Sequence, residues 1–176
     1  NIVGNLLNFS RTGSSEEFAV VEINKLLNDT LQLLEPQLRK SNIEILKDYA
    51  KTSPKILGSG GKLQQVFTNL ILNARDAMLD GGTITLKTFV EPTGQVIVEV
   101  TDTGEGIPAE NLKKVFDPFF TTKEVGSGTG LGLAVSYGII QEHSGSIEAK
   151  SEPGAGATFC LGFPTIQSNG RKRAVR

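Results

Sequence analysis

The 176-residue sequence predicts an α+β fold, a two-layer α/β sandwich in which a mixed sheet carries helices on one face. Three observations support that expectation. Helically spaced and alternating apolar segments follow one another as helix, strand, helix, strands, then helix and strands. No segment repeats. Apolar residues make up 38% of the chain, which in one domain of this length is enough for a real core.

Taken in order, "NIVGNLLNFSR" places Ile2, Leu6, Leu7 and Phe9 at mostly helical spacing and stops at the linker "TGSSEE". "EFAVVEI" reads as a short strand. Asn24 is expected to cap a helix from about Lys25 to Lys40, with Leu26, Leu27, Leu31, Leu34 and Leu38 on one face. "NIEILKDY" and "PKILG" read as strands. Gly60 and Gly61 open a long helix that runs to "DGG", with Leu63, Val66, Phe67, Leu70, Ile71, Ala74 and Ala77 among its apolar positions. "TITLKTFV" and "QVIVEVTD" form a hairpin around "EPTG". Pro108 suits the first turn of a short helix to about Val115. Leu131 to about His143 reads as a helix with Gly145 just past its end. "SIEAKSEP" and "TFCLGFP" close the chain as a hairpin around "GAG", before the basic "RKRAVR".

Composition narrows the function classes. A net charge of −1 argues against a protein that coats nucleic acid. The single cysteine, Cys160, leaves no internal disulfide and no partner for a cysteine metal site; its alternating run predicts a small buried hydrophobe. No stretch approaches the roughly 20 apolar residues that cross a bilayer, and no basic region opens a signal peptide. A soluble cytoplasmic setting is expected. The chain begins without methionine inside a helical pattern, as a piece of something longer would.

Four local features need a chemical reason. In "NLILNARDA", Asn69, Asn73 and Asp76 share one helix face, and a carboxamide oxygen suits Mg²⁺ with phosphate and water ligands. In "DTGEGIP", Asp102 ends an apolar strand, where its carboxylate can accept from an exocyclic amine, while Gly104 and Gly106 permit close backbone approach. "FDPFFTTK" sets Phe116, Phe119 and Phe120 beside Thr121, Thr122 and Lys123, an aromatic anchor with a cation for phosphate. "GSGTGLGL" points bare N–H groups and a helix N-terminus at one place. Each alone has an ordinary reading: surface amides, an Asp-Gly turn, a core plug, a flexible loop.

In this order, the four resemble the N, G1, F and G2 boxes of sensor histidine kinases, within the superfamily shared with gyrase and the heat-shock chaperone ATPases. The resemblance covers roughly residues 18–165 and includes the closing "GIIQEHSGSIEAKSEPGAGATFCLGFP". Residues 1–11 resemble the end of the second dimerisation helix, with 12–17 as linker and 166–176 as a basic tail. "FFTTK" with "NARDA" looks most like the nitrogen-regulatory type. The resemblance implies the Bergerat (GHKL) ATP-binding fold with a mobile ATP lid between the last two boxes.

Carried over, the pattern implies that Asn73 holds Mg²⁺ and that Asn69 sits beside the phosphates of ATP. Asp102 would read the adenine amine, Gly104 and Gly106 would line the base, and Thr158 would support the adenine contact. Thr121, Thr122, Lys123, Gly126, Gly128, Thr129, Gly130, Leu131 and Gly132 would form the lid over the triphosphate, with Asn69 and Lys123 the catalytic pair. Asp76 matches an acidic position of the hydrolysing relatives. Asn69 stands where those relatives carry a water-activating glutamate; an amide is no general base, so ATP would be held for transfer and leave as ADP.

The implied activity is a protein histidine kinase. Its partners would be its own dimerisation and phosphoacceptor domain and a response regulator, with a homodimeric full-length protein and no nucleic acid. His143, the one histidine, matches the family's closing pattern and reads as a structural or capping residue, so the phosphoacceptor would precede Asn1. Two other readings stay open: a protein serine kinase of the same superfamily, such as an anti-sigma factor, and a nucleotide-responsive interaction module.

Overall fold

Alternating apolar residues dictate the sheet. In the computed structural model, which describes residues 17–122 and 129–166, β4 (Gly82–Val90), β5 (Gln95–Asp102) and β7 (Ala157–Pro164) each turn every second side chain into one core. Ile84 and Leu86, Val96, Val98 and Val100, and Phe159, Leu161 and Phe163 are all buried there. The expected dimerisation-helix end, most of the linker and tail, and Lys123, Gly126 and Gly128 lie outside the described residues.

With β2 (Ile43–Asp48) and β6 (Ser146–Ser151), these strands form one five-stranded sheet in the order β2-β4-β5-β7-β6. The β2–β4 pair is parallel and the others antiparallel, so the sheet is mixed as expected. Two further strands, β1 (Ala19–Glu22) and β3 (Lys55–Gly58), among the described residues pair only with each other, as a separate antiparallel ribbon.

Three helices cover the core face of the sheet. Helix α1 (Ile23–Lys40) buries Leu27, Leu31, Leu34 and Leu38; α2 (Gly60–Asp76) buries Leu63, Val66, Phe67, Leu70 and Ile71; α4 (Gly132–Glu142) buries Ile139 and Ile140. Each such side chain contributes roughly 1.5–3 kcal/mol through lost water contact. A single turn, α3 (Ala109–Leu112), precedes "FDPFFTTK" and is shorter than the sequence suggests.

Three local details go against or beyond expectation, with Gly145 just past the end of its helix as expected. Asn24 lies inside the first turn of α1 and does not cap it. Its amide donates to the Ala50 carbonyl at 3.0 Å, and Thr88 Oγ1 donates to its oxygen at 2.7 Å. At the end of α4, Ser144 and not Gly145 takes the left-handed conformation (φ 54°). Gly145 N–H donates to Ile140 O at 3.0 Å, and a Cβ on Gly145 would stand 2.6 Å from Gly162 O, so close approach of β7 requires that glycine. Cys160 is half-buried on the outward face, between Glu99 and Glu148 on its neighbouring strands, and burial pushes its thiol up.

Candidate functional site

The end of β5 delivers a carboxylate into the core layer. Asp102 is 4% exposed, and its Oδ1 accepts from the Gly104 N–H at 2.8 Å and the Ala157 N–H at 3.2 Å. Burial pushes its carboxyl above the usual range, against the pull of those two donors. Both bonds fall on Oδ1, which leaves Oδ2 to a donor from elsewhere.

The glycines beside it serve the protein's own backbone. A Cβ on Gly104 would stand 2.6 Å from Ala77 O, and one on Gly106 (φ +76°) 2.2 Å from Glu152 O. Gly156 is tighter, since its Cβ would stand 2.0 Å from Asp102 O. Ser151 Oγ fastens this corner by accepting from Ile107 N–H at 2.7 Å and donating to Gly156 O at 2.6 Å.

Thr158 is not among the residues brought to the Asp102 carboxylate. Its hydroxyl meets that of Thr101 at 2.9 Å on the sheet's outward face, whereas Asp102 and Ala157 point inward. Successive strand residues face opposite ways, so the contact falls one position earlier, on the Ala157 backbone. A backbone N–H leaves no mark in a sequence.

The last turn of α2 joins this corner to the amide row. Ala77 N–H donates to Asn73 O, and Ala77 O accepts from Glu105 N–H, both at 3.1 Å. Asn73 is half-buried, and its carboxamide has no hydrogen-bond partner among the described residues. Asp76 pairs with the guanidinium of Arg75, whose Nε donates at 2.8 Å; the same guanidinium reaches Gln37 on α1. Asn69 donates through Nδ2 to Gly132 O at 3.2 Å, at the first residue of α4. No side chain caps the N-terminus of α4, so its first N–H groups and the positive end of the helix remain for an anion beside Asn69.

In "FDPFFTTK", the three phenylalanines have different surroundings. Phe116 is the anchor, its ring 5.8 Å from that of Tyr137 and edge-on to Phe159 at 6.3 Å. Phe119, by contrast, is 75% exposed and left-handed (φ 67°), and Phe120 is half-buried. Phe119 N–H donates to Gly130 O at 2.8 Å, and a Cβ on Gly130 would stand 2.5 Å from the Phe119 carbonyl carbon. The two ends of the segment are thereby stapled together. Thr121, Thr122 and Thr129 are exposed at this staple, and Leu131 is half-buried.

At its far end, α4 is fixed to α2. Ser59 N–H donates to His143 Nε2 at 3.0 Å, and His143 Nδ1 donates to Ile139 O at 2.7 Å. Phe18 stacks on the ring at 4.7 Å, and Lys62 pairs with Glu142 at 2.6 Å. His143 is buried with both nitrogens engaged, a structural residue as expected.

Among the described residues no three His, Cys, Asp or Glu side chains converge on a metal position. A divalent cation at this site would draw on a carboxamide oxygen, phosphate and water, a set that fits Mg²⁺. The unengaged carboxamide of Asn73 meets that requirement. Nor is any helix among the described residues long and apolar enough to cross a membrane.

Known proteins resemble this arrangement. The family described as histidine kinase-, DNA gyrase B- and HSP90-like ATPase matches residues 58–167. Sensor kinase CckA of Brucella abortus (strain 2308) is 41% identical over 94% of this chain, which spans 19% of that protein's length. The nucleotide-free catalytic domain of histidine kinase ThkA is 32% identical, covering 85% of this chain and 96% of its own, with a TM-score of 0.76. Full-length ShkA in complex with AMPPNP is 29% identical over 93% of this chain and 35% of its own, with a TM-score of 0.79. ThkA in complex with response regulator protein TrrA is 28% identical over 95% of this chain and 47% of its own, with a TM-score of 0.76.

Proposed function

Since the chain belongs to the histidine kinase-, DNA gyrase B- and HSP90-like ATPase family, in the form carried by the catalytic domains of histidine kinases, we propose that it binds Mg-ATP and donates the γ-phosphoryl group. The acceptor is a histidine on the dimerisation domain of a longer, homodimeric sensor kinase, for relay to a response-regulator aspartate. One observation carries this reading: the open N-terminus of α4 is held against Asn69, an amide that cannot deprotonate water. The site is built to bind a phosphate chain and lacks at that position the base that would hydrolyse it.

The residues divide the work. Asp102 Oδ2 accepts from the adenine amine, its orientation set by the two backbone donors on Oδ1. The α4 N–H groups face the phosphates, and Asn73 would offer its oxygen to Mg²⁺, which offsets phosphate charge when bound. The exposed threonines Thr121, Thr122 and Thr129 are assigned to the triphosphate, as the resemblance also assigns Lys123, Gly126 and Gly128, which lie outside the described residues. Transfer then needs in-line positioning and exclusion of water more than covalent help from the protein. His143 has no free nitrogen, so the acceptor is supplied by another domain. The AMPPNP bound to ShkA supports the nucleotide, and the ThkA–TrrA complex supports the regulator.

The test supplies a phosphoacceptor helix domain in trans with Mg²⁺ and labelled ATP. Acid-labile phosphohistidine is expected. Phosphoserine would make the chain a serine kinase instead, and nucleotide binding with no transfer would make it an interaction module.

A further inference from the structure

Ser136 is a fully buried hydroxyl in the otherwise apolar run "GLAVSYGII" of α4. Such a group is costly in a core unless it is bonded. It satisfies itself first through its own helix, donating to Gly132 O at 2.9 Å. Its oxygen then accepts from Asn69 Nδ2 at 3.3 Å, which also donates to Gly132 O at 3.2 Å. Asn69 Nδ2, Ser136 Oγ and Gly132 O form a closed triangle.

We propose that Ser136 is a positioning residue for phosphoryl transfer, acting through Asn69. With Nδ2 shared between two acceptors on α4, the Asn69 carboxamide is tethered to that helix at two points. Because Gly132 is the first residue of α4, the same triangle sets the open N-terminus against the amide row of α2. Without the Ser136 hydroxyl, Asn69 keeps one of its two bonds to α4, and its amide is held less tightly. Adenine recognition lies at the other end of the site, on Asp102, and α4 stays fixed through His143 and Glu142. Loss of Ser136 should therefore affect transfer more than nucleotide affinity. The inference rests on the kinase reading above.

The test compares wild type, Ser136→Ala, Asn69→Ala and the double variant in single-turnover transfer to the acceptor domain, with nucleotide affinity measured in parallel. Ser136→Ala should slow transfer about threefold to tenfold while leaving the dissociation constant within about twofold. In the Asn69→Ala background it should add less than about twofold. Multiplying effects, or a transfer rate unchanged by Ser136→Ala, would overturn the proposal. If wild type binds nucleotide and transfers nothing, the kinase reading fails, and the side-chain ¹⁵NH₂ signals of Asn69 then decide the positioning. Shifted, faster-exchanging signals in Ser136→Ala support the triangle, and unchanged signals refute it.

Discussion

Replacing Asp102 by asparagine exchanges one acceptor for a donor and leaves the rest of the corner in place. The asparagine Oδ1 can still accept from Gly104 and Ala157, the two bonds of 2.8 and 3.2 Å that orient the side chain. Where Oδ2 stood, Nδ2 would then face the amine of adenine. The lost charge-assisted bond is worth about 1.5–3 kcal/mol and the unpaired donor about 1–3 more. A figure of about 3 kcal/mol, near the lower end of that sum, weakens ATP binding roughly 150-fold. The new donor suits the carbonyl of guanine, so the preference for ATP over GTP should collapse. Stability should stay within about 1 kcal/mol, since a buried charge is removed and no protein bond is lost. The Asp102 carboxyl is raised in the fold, so its contribution to stability is complete below its unfolded value and is lost as pH rises through the folded one. The variant should therefore gain on wild type above that window. Calorimetry with ATP and GTP, and unfolding across pH, measure both effects. A folded variant with unchanged ATP affinity and selectivity would refute the assignment of Asp102 to the base.

Removing Asn73 by alanine should abolish the Mg²⁺ dependence of nucleotide binding while leaving metal-free binding within about twofold; retained Mg²⁺ dependence would move the metal elsewhere. Tyr49 carries a buried hydroxyl without a partner among the described residues, and burial pushes its phenol up to about 12. Tyr49→Phe should stabilise the fold by about 1 kcal/mol in urea titrations. It should also abolish the loss of stability that wild type shows as pH climbs from near 10 through about 12. Phe116→Ala, which strips the ring from Tyr137 and Phe159, should cost about 2 kcal/mol. Phe119→Gly, at an exposed left-handed position, should be neutral or stabilising by up to about 1 kcal/mol. Equal losses in the two variants would contradict the assignment of Phe116 alone as the anchor.

Much of the fold was legible because its signals are local. Alternation marked β4, β5 and β7, and helical spacing marked the core faces of α1 and α2. Where contacts are long-range, the sequence was silent. "EFAVVEI" and "PKILG" were visible as strands, yet nothing local says that they pair with each other and stay apart from the main sheet. Asn24 has the composition of a cap, but Thr88 and Ala50 claim its side chain from across the molecule. In "FDPFFTTK" the three rings look equivalent, and only the packing of β7 and α4 selects Phe116.

By itself, the sequence determined the order of the elements and the chemistry available to the site. An amide row, a strand-terminal carboxylate and a glycine-rich approach to a helix are all written in residue type and short-range spacing. The tertiary structure decided which atoms meet. Ala157 rather than Thr158 reaches Asp102 because adjacent strand residues face opposite ways. Ser136 joins Asn69 because two helices far apart in sequence pack side by side. Such pairings depend on register and packing across the core, and no local pattern encodes them.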